Sequence, residues 1–194
     1  MKKIMFNDKY ELTKAVLEGR KTITRRAVPE KLLECITVYA HGDEAELIYR
    51  LIANSPYKVG EVIAIAQSYN DVIEEWKKGY GQGFCFDLKD RAGMTNKMFV
   101  RSEEMPHHIK ITNIRVERLQ DISNDDCLRE GVMYHKGASY CDTSTSYYYF
   151  YHDPKNGTYA TPREAFATLI DKLSGKGTWE SNPYVWVYEF ELVD

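Results

Sequence analysis

The sequence lacks the cysteine patterns that mark disulfide scaffolds and zinc sites. Its four cysteines are Cys35, Cys85, Cys127 and Cys141. They form no C-x-x-C pair, and none has histidine companions at zinc spacing. We therefore expect reduced thiols, as in a cytoplasmic protein, with no bound metal and no cofactor.

Long apolar runs and an excess of positive charge are also missing. No segment approaches the roughly 18 apolar residues of a membrane span. Lys2 and Lys3 precede only a short apolar stretch, which is untypical of a signal peptide. The net charge is −3, so the chain is unsuited to coating long duplex DNA, whose binding depends on neutralising phosphates. A local basic patch for one nucleotide or a short strand remains open.

The patterns that are present predict one α+β domain over residues 1–194. Asp8–Glu11 reads as a capping box for a helix that ends at Gly19. Apolar residues 62–66 predict a buried strand, and alternation over 184–193 predicts a long final strand. A phase slip near Asn113 predicts a β-bulge, which bends a sheet towards a barrel.

Two further helices are indicated by their ends. Ser123 caps a short helix that runs to Glu130 and stops at Gly131. The T-x-x-E box at Thr161, with proline at the first helical position, begins another. Residues 27–56 give no clear pattern. Residues 134–160 form an aromatic stretch that ends in a hairpin signal, Asn156–Gly157.

The stretch "GRKTITRR", residues 19–26, places four cations and two hydroxyls just after the first helix. If the chain bends there, Lys21 could remove the hydroxyl proton of Thr24, which is a poor nucleophile without a base. Like-charge repulsion from Arg20, Arg25 and Arg26 would lower the pKa of that lysine. A solvated basic strand and an anion clamp are the two alternatives.

Two other features could serve a ligand. Glu130 lies in the last turn of its helix, where the carbonyl ends disfavour a carboxylate. A role in pairing with a lysine or holding an amide would explain it, as would simple exposure. The tyrosine run 147–151 and Tyr69 could stack on bases. Strand alternation limits the run to half its rings, and a lid or packed insert is the other interpretation.

Four segments together resemble the ASCH domain family, whose fold is PUA-like. They are the helix ending in "GRKTITRR", "YKVGEVIAIA" (57–66), "IKITNIRVERLQDISNDDCLREGV" (109–132) and "WESNPYVWVYEFELV" (179–193). The resemblance covers about half of the chain. It implies a curved β-barrel with flanking short helices and a cleft for RNA or a modified nucleoside or nucleotide.

One bacterial branch of that family consists of N4-acetylcytidine amidohydrolases, which use a lysine, a threonine and a glutamate. The resemblance places these roles on Lys21, Thr24 and Glu130. Arg20, Arg25, Arg26 and Tyr69 would then bind the ligand. The chain is nearly twice as long as those compact enzymes and carries the insertions at about 27–56 and 134–160. Three functions therefore stay open: nucleoside or RNA binding, N-acyl nucleoside hydrolysis, and a protein-interaction module.

Overall fold

Apolar and alternating segments form the sheet that organises the molecule. The computed structural model describes residues 1–80, 92–136, 147–150 and 157–193. Five strands make one mixed sheet in the order β1-β3-β4-β7-β2, in which only β1 and β3 run parallel. The strands of this sheet are β1 (Lys3–Ile4), β2 (Ile23–Ala27), β3 (Val62–Ile65), β4 (His108–Arg118) and β7 (Tyr184–Leu192). A separate antiparallel ribbon pairs β5 (Met133–His135) with β6 (Tyr147–Tyr149).

Helices connect and cover these strands. They are α1 (Leu12–Leu17), α2 (Glu30–Ala40), α3 (Glu44–Ala53), α4 (Tyr69–Tyr80), α5 (Asn124–Arg129), α6 (Pro162–Ser174) and α7 (Thr178–Ser181). Short 3-10 turns occupy Asp8–Tyr10, Lys97–Phe99, Ser102–Glu104 and Leu119–Asp121. The chain is therefore a mixed α+β protein, as its patterns predict.

The final strand is the centre of the main apolar cluster. β7 lies between β4 and β2, and its residues 184–188 are buried. The Trp186 Nε1–H donates to the Leu51 carbonyl at 2.8 Å, and the Tyr188 and Ser55 hydroxyls are 2.8 Å apart. Burial raises the pKa of Tyr188 to about 12. These contacts hold the end of α3 and the residues after it against one face of the sheet.

Helix and strand ends follow the local sequence at most positions. Ser123 accepts from the Asp126 N–H, and Thr161 forms the full capping box with Glu164. The register of β4 against β7 shifts after Ile111, which confirms the β-bulge. The capping box at Asp8 is wrong: residue 11 adopts a left-handed conformation, with φ of 53°, and α1 begins only at Leu12.

The two edges of the sheet approach each other but do not pair. Met5 and Phe6 follow edge strand β1, and the Arg26 Nη2–H of edge strand β2 donates to the Met5 carbonyl at 2.6 Å. The rings of Phe6 and Phe190 lie 5.9 Å apart. Within the described residues no strand ladder joins β1 to β2, so the sheet there is open, and the expected closed barrel is not formed by these strands.

The two expected insertions differ in character. Residues 27–56 form α2 and α3, a helical pair that the sequence pattern did not predict. Asp43 separates them and caps α3 through the N–H groups of residues 45 and 46. The stretch 134–160 contributes β6 and part of β5. Tyr151 and Asn156, which belong to the tyrosine run and the hairpin signal, lie outside the described residues.

Candidate functional site

The chain bends inward directly after α1. Gly19 has a φ of +71°, a left-handed conformation that glycine adopts without a steric penalty. The Lys21 N–H then donates back to the Ala15 carbonyl at 2.9 Å. The Thr22 N–H donates to the Arg129 carbonyl at 3.0 Å, which fixes this segment to the end of α5. As a result the Lys21 side chain enters the interior, with 2% of the residue's surface exposed.

Glu130 meets this lysine from the other side. It is the C-cap residue of α5, and Gly131 turns the chain away with a φ of +109°. The Lys21 ammonium contacts Glu130 Oε2 in a short ion pair and also donates to the Glu130 carbonyl at 2.9 Å. Glu130 is 4% exposed, so of the interpretations left open for this glutamate the structure shows pairing with a lysine rather than simple exposure.

Arg25 holds the second oxygen of the same carboxylate. Its Nη1–H donates to Glu130 Oε1 at 3.1 Å. Its Nε and Nη2 groups donate to Glu117 Oε1 at 3.0 and 2.7 Å, and Nη2 also donates to Asp126 Oδ2 at 2.8 Å. Three carboxylates therefore surround this guanidinium, and the Arg25 side chain is 1% exposed. Arg25 positions Glu130 and has little capacity left for a ligand anion.

The protonation of the two cations responds differently to burial. Burial lowers the pKa of Lys21 below its ordinary value, because the ammonium loses its hydration. The charge and hydrogen bond of Glu130 oppose this shift, while the nearby charges of Arg26 and Arg25 add to it. Burial also acts to lower the pKa of Arg25, but its carboxylate partners outweigh that effect and raise it. Lys21 is thus the cation at this site that can release a proton.

A wider ion network extends this cluster across the sheet. Arg115 contacts Glu117, Asp126 and Glu189, the latter at 2.5 Å. Arg129 donates to Glu189 Oε2 at 2.9 Å and to the Thr22 hydroxyl at 3.1 Å. The sequence analysis missed these residues. The charged residues that alternate with apolar ones along β4 and β7 could have indicated this network. Such residues lie on one face of neighbouring strands, where they can pair.

A cavity of about 450 Å³ opens beside the buried cluster. It brings together Lys21, Thr24 and Glu130, which the sequence analysis had grouped as candidate catalytic residues. One wall is charged and the other is the apolar side of α6. The lining residues are Met5, Phe6, Asn7, Asp8, Lys9, Leu12, Lys21, Thr24, Arg25, Arg26, Lys97, Glu130, Phe166, Leu169, Ile170, Leu173 and Ser174.

Thr24 is buried at this cavity, with 4% of its surface exposed. Within the part of the chain that the structure describes, the Thr24 hydroxyl forms no hydrogen bond. The Lys21 ammonium donates to Glu130 rather than to Thr24. One N–H of a lysine ammonium remains after those two bonds. An amine, a hydroxyl and a carboxylate therefore line the same cavity, and the amine forms an ion pair with the carboxylate.

The predicted ligand-binding residues separate in the structure. Arg26 lines the cavity and is exposed. Arg20 does not line it and pairs with Glu18 at 2.7 Å. Tyr69 packs in a second apolar cluster, where its hydroxyl accepts from the Arg101 N–H at 3.1 Å. With 3% of its surface exposed, Tyr69 is not placed to stack on a ligand in this cavity.

The thiols and carboxylates that the structure describes do not assemble a metal site. No group of three or more histidine, cysteine, aspartate or glutamate side chains there has suitable geometry. Cys35 is exposed and Cys127 buried, both as free thiols, and burial raises the pKa of Cys127 to about 12. Cys85 and Cys141 lie outside the described residues. Among the described helices, none has the length and apolar character needed to cross a membrane.

Comparison of the chain with protein family models, with functionally characterised proteins and with solved structures finds no match.

Proposed function

We propose that this chain is a PUA-like protein of the ASCH type that binds a modified nucleoside or nucleotide in the cavity beside Lys21, Thr24 and Glu130. The convergence of these three residues around one space carries the proposal. The near approach of β1 and β2 supports a PUA-like relationship, because a barrel requires those sheet edges to meet. A cytoplasmic location is part of the same proposal.

The cavity suits a small ligand better than a long strand. Its volume of about 450 Å³ lies in the lower part of the 300–1,000 Å³ range of ligand pockets. Phe166, Leu169 and Ile170 supply an apolar wall, which can bury a planar base or an acyl group. Glu130 retains lone pairs beyond those used by Lys21 and Arg25, so it can accept from an exocyclic N–H.

Titration calorimetry with a panel of nucleosides at low salt tests the binding proposal. Ser174 lines the cavity at the exposed end of α6, so Ser174→Trp should obstruct the space without disturbing the core. We expect this variant to raise the Kd at least tenfold. Ser181→Trp, at the exposed end of α7, is the matched control and should bind as the wild type does. Absence of binding by any nucleoside or nucleotide would contradict the proposal.

A second candidate function, hydrolysis of an N-acylated nucleoside, is favoured by the lowered pKa of Lys21 next to a cavity that contains Thr24. In its neutral form, Lys21 takes the proton of the Thr24 hydroxyl while Oγ1 forms a bond to the acyl carbon. The carbon–nitrogen bond then breaks, and the Lys21 ammonium returns the proton to the departing nitrogen. Lys21 then takes a proton from water while the water oxygen bonds to the ester carbon, and it gives that proton to Thr24 Oγ1 as the carbon–Oγ1 bond breaks and the acid leaves.

Incubation with N4-acetylcytidine, followed by chromatography of cytidine, tests this mechanism. Thr24→Val keeps the shape of the side chain but removes the nucleophile, and we expect turnover to fall at least 1,000-fold, of the order seen when a nucleophile is deleted. Thr37→Val changes a hydroxyl on the exposed face of α2 and should leave turnover unchanged. If the wild-type protein binds cytidine but produces no cytidine from N4-acetylcytidine, the binding proposal stands and this reaction is excluded.

A further inference from the structure

The geometry points to a phosphorylated ligand, a nucleotide rather than a free nucleoside, with its phosphate at Arg26 and with Lys9 as a second exposed cation on the wall of the same cavity. This inference rests on the proposed nucleoside-binding function of the same cavity. Both side chains line the cavity and belong to exposed residues. Within the described part of the chain, neither has a carboxylate at ion-pair distance.

The other charges of the cavity are compensated. Lys21 and Arg25 share the Glu130 carboxylate, and Arg25 has two further carboxylate partners. Lys97 and Asp8 neutralise each other at 2.7 Å. The buried end of the cavity therefore favours a neutral group such as a base, and the surplus positive charge lies with the two exposed cations.

Arg26 is placed to contact a phosphate of a ligand that lies next to Thr24. Residues 24 and 26 point to the same side of β2, because side chains alternate along a strand and their pairing with β7 is regular. Two residues of a strand span about 6.6 Å. One Nη2–H of Arg26 donates to the Met5 carbonyl, which fixes the guanidinium, and this leaves further N–H donors for an anion.

Phe6 lies close to both the buried Lys21 and the exposed Arg26. The Lys21 ammonium lies 5.9 Å from the centre of this ring, and the Arg26 guanidinium lies 5.8 Å from it. A ligand that lies along this ring can therefore contact the Lys21–Glu130 pair with one group and Arg26 with another. A nucleotide has this order of groups, with a neutral base at one end and a phosphate of about −1.5 to −2 charges at the other.

Calorimetry with unmodified cytidine compounds tests the inference without turnover. The probes are cytidine, its 5′- and 3′-monophosphates, inorganic phosphate and a short 5′-phosphorylated oligoribonucleotide. We expect at least one monophosphate to bind about tenfold tighter than cytidine at low salt, because hydrogen bonds to charged groups are the stronger class. This advantage should shrink as salt screens the exposed cations.

Variants separate the phosphate contact from the rest of the site. Arg26→Gln should remove most of the advantage and Lys9→Gln part of it, while both variants should still bind cytidine. Arg20→Gln, an exposed cation outside the cavity, should preserve the advantage. An oligoribonucleotide that binds tighter than the mononucleotide identifies an RNA strand as the source of the phosphate, and equal affinity identifies a free nucleotide.

The same titrations distinguish a failure of the nucleotide inference from a failure of the proposed nucleoside site. If cytidine binds and neither monophosphate binds more tightly, the nucleotide inference is wrong and the proposed nucleoside site stands. If inorganic phosphate binds as tightly as the monophosphates, the cations form a general anion site and the inference is also wrong. If no probe binds, the nucleotide inference is wrong, and the nucleoside panel described above decides whether the proposed function fails with it.

Discussion

Replacement of Glu130 by glutamine tests the buried ion pair at the centre of the site. The change keeps the size of the side chain but removes the charge that compensates Lys21. Arg25 retains Glu117 and Asp126, whereas Lys21 loses its carboxylate partner and keeps only neutral acceptors such as the backbone carbonyl of residue 130. The loss of stability should therefore arise mainly from the lysine.

Two estimates give a similar magnitude for this loss. Removing one partner of a buried ion pair costs about 3–5 kcal/mol. Alternatively, the lysine can escape the penalty by releasing its proton. Holding a lysine neutral at pH 7.5, about 3 units below its reference pKa, costs roughly 4 kcal/mol. We expect Glu130→Gln to lower the free energy of unfolding by about 3–4 kcal/mol at neutral pH.

The pH dependence identifies the lysine as the cause. A lysine with a lowered pKa in the folded state binds fewer protons there than in the unfolded chain. Stability then rises with pH between the folded and unfolded pKa values, with a slope of up to about 1.4 kcal/mol per unit. Glu130 raises the pKa of Lys21, so its loss extends this window towards neutral pH. The deficit of Glu130→Gln should therefore shrink between pH 7 and pH 9.

Urea denaturation at several pH values measures both effects. The double variant Lys21→Met/Glu130→Gln should lose the added pH dependence and recover part of the stability, because the uncompensated ammonium is gone. Glu34→Gln, an exposed carboxylate on α2, is the matched control and should change stability little. A loss below about 1 kcal/mol that is equal at pH 7 and pH 9 would refute the assignment of Lys21–Glu130 as a buried charged pair.

Three further predictions address the structure around the site. Gly131→Ala should destabilise the protein by about 1–2 kcal/mol in thermal unfolding, because φ is +109° and the added Cβ would lie 3.2 Å from Leu12 Cδ2; unchanged stability would contradict this backbone. Thr161→Ala should cost about 1 kcal/mol through loss of the cap and leave ligand affinity unchanged in calorimetry. Peptide mapping after brief alkylation at pH 8 should find Cys35 modified and Cys127 intact, since burial raises the pKa of the latter to about 12; rapid labelling of both would show that the core opens.

Local features were readable from the sequence because their causes are local. Caps at Ser123 and Thr161 and the stop at Gly19 depend on hydrogen bonds and φ values within a few residues. The bulge near Asn113 is visible as a phase slip in one strand. The unfavourable position of Glu130 suggested a pairing with a lysine, and the family resemblance grouped it with Lys21. Local patterns misled at Asp8, where the left-handed residue 11 delays the start of α1.

Tertiary structure decided what each charge does. Lys21 and Glu130 are 109 positions apart in the sequence, and Arg25 and Glu117 are 92 positions apart. The stretch at residues 19–26 supplies its cations in a row, but folding sends Lys21 and Arg25 into a carboxylate cluster and leaves Arg26 exposed at the cavity. No local rule distinguishes these fates, because charge compensation depends on which distant carboxylates the sheet brings near. The sequence determined that these cations follow α1 and lie at the start of β2. The packing of α5 against the sheet determined which carboxylates they pair with.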